Sequence, residues 1–290
     1  MLKEYFRITR LHLDFDVWTL LIPCWWGFFF SLYHTGETAE FLMQSFILLT
    51  AGSVLMLGVG ATYDDIVDRK LDAKVARTKD REIASEKVAL PHAWLFLFFQ
   101  IGLCLVIAYF LRPEAVIQCF VAGAILSAYP FIKRFSHLTG IYLGICINWG
   151  VLVTFMQTTQ SINITALLVF LSCFFLTCFY NTVYEIQDKA DDKKAGIKSM
   201  ALLLGDRIKI FLYGCLALML ASLFTAGISA GITTPLYYVM IFAVSLIMPY
   251  KVYKINLQQP ESCYHVFHFN RTFAALLTTV MLCVKLIEHL

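Results

Sequence analysis

The sequence predicts an all-α polytopic membrane protein of about nine transmembrane helices, on three observations. Apolar residues make up 59% of the chain and charged ones 15%, a balance outside the soluble globular range. Asp, Glu, Lys and Arg are missing from long stretches, and about 20 apolar residues suffice for a helix to cross a bilayer. Lys and Arg collect in alternate connections between those stretches, as cytoplasmic loops do.

The uncharged runs cover residues 17–34, 41–63, 88–111, 115–132, 135–184 and 210–250. The last two are of double length. The polar stretch 157–165 divides one and 227–235 the other, so each reads as two helices joined by a short turn. A final segment over 271–287 completes the set. Lys3, Arg7 and Arg10 precede the first helix, and basic connections at 69–87, 133–134, 189–209 and 251–271 follow the second, fourth, sixth and eighth. The N-terminus is therefore expected in the cytoplasm and the C-terminus outside, with the charged loops on the cytoplasmic side, or the matrix side in a mitochondrion. A net charge of +3 suits anionic headgroups and gives no sign of a nucleic-acid partner.

The nine cysteines stand singly in or beside apolar segments, without a Cys-x-x-Cys pair. They read as small core hydrophobes, neither a disulfide framework nor a zinc site. The start of the sequence shows neither a cleavable signal pattern nor an Arg-rich transit pattern, which favours a bacterial inner membrane over a mitochondrial one.

Chemistry enters at two acidic helix ends. The second helix runs out into Asp64-Asp65-x-x-Asp68-x-x-x-Asp72, and the sixth into Asp188-x-x-Asp191-Asp192. If the helices persist, Asp64, Asp68 and Asp72 recur every four residues with Asp65 beside them, and Asp188 and Asp192 do the same, so each set shares a face. Asp68-Arg69 and Asp188-Lys189 correspond, 120 residues and four predicted helices apart, and an even number of crossings returns both to one side of the membrane. A charge run at a helix end is ordinarily a solvated face. A basic, positive-inside loop has no topological use for Asp, however, so two matched acidic clusters need another explanation. Mg²⁺ supplies one: it takes hard oxygen ligands, usually one or two carboxylates together with substrate phosphates. Two such platforms facing each other would hold a diphosphate. Arg69, Arg77, Lys79 and Arg81 after the first motif, and Lys189, Lys193, Lys194 and Lys198 after the second, would complete an anion cage.

On these motifs the chain resembles the UbiA-type intramembrane prenyltransferases, and among them the 4-hydroxybenzoate polyprenyltransferases. The first motif of that family, Asn-Asp-x-x-Asp-x-x-x-Asp, leads into a loop of the form Arg-Thr-x-x-Arg-Pro-x-Ala-Ser-Gly, matched here by Arg77-Thr78-Lys79-Asp80-Arg81-Glu82-Ile83-Ala84-Ser85-Glu86. The second, Asp-x-x-x-Asp leading into Gly-Ile-Lys-Ser, is matched by Asp188, Asp192 and Gly196-Ile197-Lys198-Ser199. Tyr129-Pro130, Lys133-Arg134, Asn148-Trp149-Gly150, Pro23-Cys24-Trp25-Trp26-Gly27 and Asn270 are similar to the hydroxybenzoate branch. The chain departs from the pattern at Asp64 for Asn, Glu82 for Pro, Glu86 for Gly and Asn181 for Asp, and over residues 12–16, from His12 to Asp16.

The resemblance implies one domain over residues 1–290, nine helices around a central cavity, Mg²⁺ as cofactor, and polyprenyl transfer to 4-hydroxybenzoate in ubiquinone synthesis. The partners it implies are a polyprenyl diphosphate, an aromatic acid and membrane lipid. Asp65, Asp68 and Asp72 are expected to hold one Mg²⁺ and Asp188 and Asp192 another, with Asp64 and Asp191 in support. Arg69, Arg77, Lys133, Arg134 and Lys198 are assigned to the diphosphate, and Arg10, Tyr129, Asn148 and Trp149 to the acceptor or prenyl cavity. His92 and His137 receive no catalytic role. Within the family, another acceptor or a terpene cyclisation remains open. A transporter is the competing class, but carriers place ionisable groups near the bilayer midplane, whereas here the acids cluster at helix ends.

Overall fold

The computed structural model describes residues 2–74, 78–195 and 198–288, without the side chains of residues 14–16, 133, 188 and 190–195. A short helix α1 (Leu2–Ile8) precedes α2 (Asp14–Ser31), α3 (Ala39–Asp72), α4 (Leu90–Tyr109) and α5 (Pro113–Phe135). One crossing is then shared by α6 (Thr139–Asn148) and α7 (Gly150–Thr159), followed by α8 (Ile164–Ala195). The short α9 (Met200–Leu204) leads into α10 (Ile208–Ser229), a second broken crossing is shared by α11 (Pro235–Ser245) and α12 (Ile247–Lys254), and α13 (Pro260–Glu288) closes the chain. Among the described residues, eight helices or broken helices are long and apolar enough to cross a membrane, and the shorter apolar segment Val17–Ser31 lies where the first of the nine is expected. Both double-length runs divide where the polar stretches lie, the first at Gln160, which takes a left-handed φ of 56°, and the second between Ser229 and Pro235.

Helix length places the acidic ends. At 1.5 Å per residue, the 34 residues of α3 and the 32 of α8 reach well beyond a hydrocarbon core of about 30 Å. Thr38 fixes the far end of α3 by accepting from the Phe41 N–H at 3.3 Å, so Asp64 to Asp72 fall on the turns that overshoot.

The core lies where α8 packs against α10, α6, α13 and α2, around the fully buried Trp26, Phe30, Phe155, Phe179, Met219 and Phe273. Without lipid-independent hydrophobic drive, helices in a bilayer associate through close packing and small residues. Gly27 serves that purpose: a Cβ there would lie 3.1 Å from the Val151 backbone, so α2 and α7 touch main chain to main chain. The indole of Trp26 donates to Thr278 Oγ1 at 2.8 Å and ties α2 to α13 across the core.

Candidate active site

Four carboxylates within the last turns of α3 repel one another, and a buried carboxylate without partners is costly. The fold answers with three guanidinium groups brought from three separate segments. Arg10 Nη2 lies 2.7 Å from Asp65 Oδ1 and 3.5 Å from Asp64 Oδ2. Arg81 Nη1 lies 3.1 Å from Asp65 Oδ1 and 2.9 Å from Asp72 Oδ2. Arg134, on the last turn of α5, puts Nη2 3.0 Å from Asp68 Oδ1 and donates to the Val67 carbonyl at 3.3 Å. Asp65 and Asp68 are buried. Among the described residues, Arg69 forms no ion pair with these acids.

Local backbone geometry sets up two of these contacts. Arg10 follows α1 with φ 58°, the left-handed conformation that commonly stops a helix, at a residue type that adopts it unwillingly. Arg81 is held by the loop after α3: Thr78 Oγ1 donates to the Asp72 carbonyl at 3.0 Å, and Ser85 Oγ donates to the Arg81 carbonyl at 2.7 Å. One departure from the resembled pattern, Asp64, falls on these contacts, and Glu82 and Glu86 lie in the loop that carries Arg81. Asp64 faces Arg10, Glu82 lies 3.6 Å from Arg7, and Glu86 occupies φ 61°, where the pattern has glycine.

The second acidic segment continues α8 as helix through Asp188 and Asp192 to Ala195. The side chains of Asp188, Asp191, Asp192 and Lys133, and all of Arg77, lie outside the described residues. The limb beyond α8 is nevertheless anchored: Lys198 Nζ donates to the Phe135 carbonyl at 3.0 Å, and His137 Nδ1 lies 3.3 Å from the Ser199 carbonyl. Lys198 thus satisfies the end of α5. Since Arg134 and Phe135 are neighbours, the end of α5 touches the first acidic face on one side and the limb after the second on the other. The first acidic face and the limb that follows the second motif therefore meet at one helix end.

Deeper in the bundle, a narrow cleft opens between α2, α6, α8 and α13, walled by Trp18, Pro23, Thr177 and Tyr180. Two buried amides line it, Asn148 at 1% exposure and Asn270 at 4%. Asn148 Nδ2 donates to the Gly144 carbonyl at 2.7 Å and to Thr177 Oγ1 at 2.9 Å, which fixes its orientation. Its Oδ1, and that of Asn270, have no protein donor. Buried acceptors in native structures are rarely left so. Tyr180 precedes Asp188 by eight residues, so the cleft lies about 12 Å along α8 from the second motif.

Arg10, Tyr129 and Trp149, also expected in the cavity, are not among the residues that line this cleft. Tyr129 stacks on Tyr142 with centroids 6.5 Å apart, and Trp149, at the break between α6 and α7, donates to Gln118 Oε1 at 3.1 Å. Arg10 is at the first acidic face. Sequence reasoning counted Arg81 only among the loop cations and passed over Glu185, whose carboxylate is buried in α8. The i+4 offset of Glu185 from Asn181 was the available signal.

The acids offer only hard oxygen donors, the kind Mg²⁺ takes. Among the described residues, no group of three or more His, Cys, Asp or Glu side chains is close enough to hold an ion unaided. That is compatible with Mg²⁺, which is usually bound by one or two carboxylates and completed by phosphate oxygens and water.

Comparison with known proteins bears directly on this arrangement. A model of the UbiA prenyltransferase family matches residues 20–277. The mitochondrial 4-hydroxybenzoate polyprenyltransferase of Bos taurus is 32% identical over 277 residues, covering 95% of this chain and 74% of the bovine one. The 4-hydroxybenzoate octaprenyltransferase of Azotobacter vinelandii is 27% identical, covering 92% of this chain and 88% of the other. Among solved structures, a UbiA homologue from Aeropyrum pernix superposes with a TM-score of 0.75 at 18% identity, covering 95% of this chain and 98% of that one. A UbiA homologue from Archaeoglobus fulgidus, bound to GPP and Mg²⁺, superposes with a TM-score of 0.72 at 18% identity, covering 97% and 99%. At such identities the structural matches speak for the fold.

Proposed function

Because the chain belongs to the UbiA prenyltransferase family, we propose that it transfers a polyprenyl group from its diphosphate to 4-hydroxybenzoate, ortho to the hydroxyl, in ubiquinone synthesis, with Mg²⁺ as cofactor. One observation carries the reading: a helix-end face of four carboxylates, two of them buried, gripped by guanidinium groups from three segments. The names of the mitochondrial and bacterial relatives support the acceptor, and the GPP and Mg²⁺ bound to the archaeal homologue support the donor and the metal.

Asp65, Asp68 and Asp72 would hold one ion and Asp188 and Asp192 a second, with Asp64 and Asp191 in support. Bound there, Mg²⁺ supplies Lewis-acid neutralisation of the charge that builds on the departing diphosphate. Arg10, Arg81 and Arg134, which pair with the carboxylates in this structure, are the cations among the described residues that a diphosphate over this face would meet. Arg guanidinium forks suit phosphate oxygens, and fixed cations aimed at developing charge contribute strongly to catalysis. Arg69, Arg77, Lys133 and Lys198 complete the charge around the mouth. The prenyl tail partitions into the apolar interior, favoured by about 0.8 kcal/mol per CH₂. Trp18 and Tyr180 present aromatic faces to the allylic cation left by C–O cleavage. Asn148 Oδ1 accepts the acceptor's phenolic hydrogen, which orients the ring so that its ortho carbon meets that cation, and the ring proton leaves with the diphosphate.

Residues 1–290 act as one catalytic domain, with the N-terminus and both acidic faces on the cytoplasmic or matrix side of an inner membrane. The purified protein, supplied with 4-hydroxybenzoate, radiolabelled polyprenyl diphosphate and Mg²⁺, is expected to give labelled prenyl-hydroxybenzoate. The product should vanish with EDTA and in Asp68→Ala. Diphosphate release without that product would send the acceptor assignment elsewhere or to cyclisation.

A further inference from the structure

Glu185 sits on α8 one turn before Asp188, and it is only 9% exposed. Three donors from three elements converge on its carboxylate. Thr139 Oγ1, at the start of α6, donates to Oε1 at 2.7 Å; Asn181 Nδ2, one turn earlier on α8, donates to the same oxygen at 2.8 Å; and the Ala201 N–H in the first turn of α9 donates to Oε2 at 3.1 Å. Among the described residues no cation pairs with it, so the buried charge is held by hydrogen bonds alone.

Two neighbours show that this carboxylate has displaced the ordinary local devices. Ser199 stands at the N-cap of α9, yet its side chain makes no capping bond and its Oγ is buried without a partner. Glu185 does that work from another helix. At Gly140, a Cβ would stand 2.9 Å from Asn181 Nδ2, so the absent side chain is what lets α6 close on the Asn181–Glu185 pair. The resembled pattern has Asp where Asn181 stands; here the acid lies one turn later, and the amide left behind donates to it.

We propose that Glu185 is a positioning residue for the diphosphate half of the site. It fastens the limb at 198–201, which returns from the second motif, to the helix that carries Asp188 and Asp192. These follow Glu185 at i+3 and i+7 and so share its side of α8. Holding that side against α6 and α9 fixes the rotation of α8 at both acids and the place where Lys198 re-enters. The proposal rests on the prenyltransferase reading and concerns the donor, not the acceptor.

The test compares Glu185→Ala, Glu185→Gln and the double variant Asn181→Asp/Glu185→Ala with the wild type in detergent. Two quantities are read: the Mg²⁺ concentration that half-saturates thermal stabilisation by geranyl diphosphate, and the separate KM values for donor and acceptor. Glu185→Ala should raise the Mg²⁺ requirement and the donor KM about tenfold and leave the acceptor KM unchanged, the scale usual for groups that orient metal ligands. Glu185→Gln keeps one acceptor oxygen but sets an N–H against the Ala201 N–H, so it should fall between; it also carries the test if the alanine variant does not fold. The double variant returns the carboxylate by one turn and should recover part of the loss. A folded Glu185→Ala or Glu185→Gln with wild-type Mg²⁺ requirement and donor KM overturns the proposal, as does a double variant no better than the single alanine. Wild type that binds geranyl diphosphate with Mg²⁺ but prenylates no hydroxybenzoate overturns the acceptor reading alone. Wild type without Mg²⁺-dependent binding overturns both.

Discussion

Asp65 and Asp72, two turns apart on α3, share a single nitrogen: Arg81 Nη1 lies 3.1 Å from Asp65 Oδ1 and 2.9 Å from Asp72 Oδ2. One loop arginine therefore sets the spacing of the carboxylate face and brings charge to the mouth. Arg81→Ala is expected to lower kcat/KM about 100-fold, the range seen when a fixed charge-stabilising donor is removed. Arg81→Lys should restore little, because an ammonium on a flexible stem does not reproduce a planar guanidinium. Steady-state kinetics with varied donor check both.

Asp68 is buried with Arg134 as its ion-pair partner. Asp68→Asn removes the negative charge of a carboxylate proposed to hold Mg²⁺ with little change in shape, so transfer should fall at least about 100-fold and the Mg²⁺ saturation curve should move to higher concentration. EDTA should abolish wild-type turnover, and added Mg²⁺ should restore it. A Mg²⁺ titration of initial rates measures these outcomes.

In Asn148→Leu the acceptor oxygen facing the cleft is lost and Thr177 loses a donor. The KM for the aromatic acid should rise about tenfold, a loss of about 1.4 kcal/mol, with the donor KM unchanged. Varying each substrate in turn separates the two. A change confined to the donor would place the prenyl chain, not the phenol, against this amide.

Glu86 adopts φ 61°, a conformation that costs a non-glycine residue about 1–2 kcal/mol. Glu86→Gly should stabilise the protein by about 1 kcal/mol once the greater freedom of glycine in the unfolded chain is subtracted. The thermal midpoint in detergent should rise, with prenyl transfer unaltered.

Gly227→Ala should act in the opposite direction. Its Cβ would collide with the ring of Tyr237, which is fully buried and hydrogen-bonded to the Leu223 carbonyl at 2.9 Å. Overpacking of this kind costs about 1–3 kcal/mol, visible as a lower midpoint.

The crossings were legible because each consists of an apolar run whose limits are charges or turn residues, as at Gln160 and Pro235. The acids were legible because helical spacing alone puts Asp64, Asp68 and Asp72 on one face. Their counter-charges were not. Arg10 and Arg134 reach Asp65 and Asp68 from 55 and 66 residues away, a pairing that depends on how helices pack and leaves no local pattern. The departures were visible as changed letters, but their meaning came only with geometry: Asp64 and Glu82 each face an arginine at or beside α1, and Asn181 gives its place as an acid to Glu185. Asn148 was named from a motif, whereas its unsatisfied oxygen beside Asn270 is a property of the cleft.

Burial is divided unequally among the helices. Within its membrane-spanning stretch α8 has 61% of its residues buried, against 17% in α4 and 11% in α5. Residues such as Phe98, Phe99, Ile117 and Phe120 show most of their surface to the surroundings, where lipid tails are as apolar as they are. Exchanging one apolar side chain for another on the outward sides of α4 and α5 changes little that the bilayer can distinguish, while an exchange on α8 disturbs a packed neighbour at most positions. Neutral drift would accordingly run faster along one flank of the molecule than along α8, so distant relatives would agree better on α8 than on the α4–α5 pair.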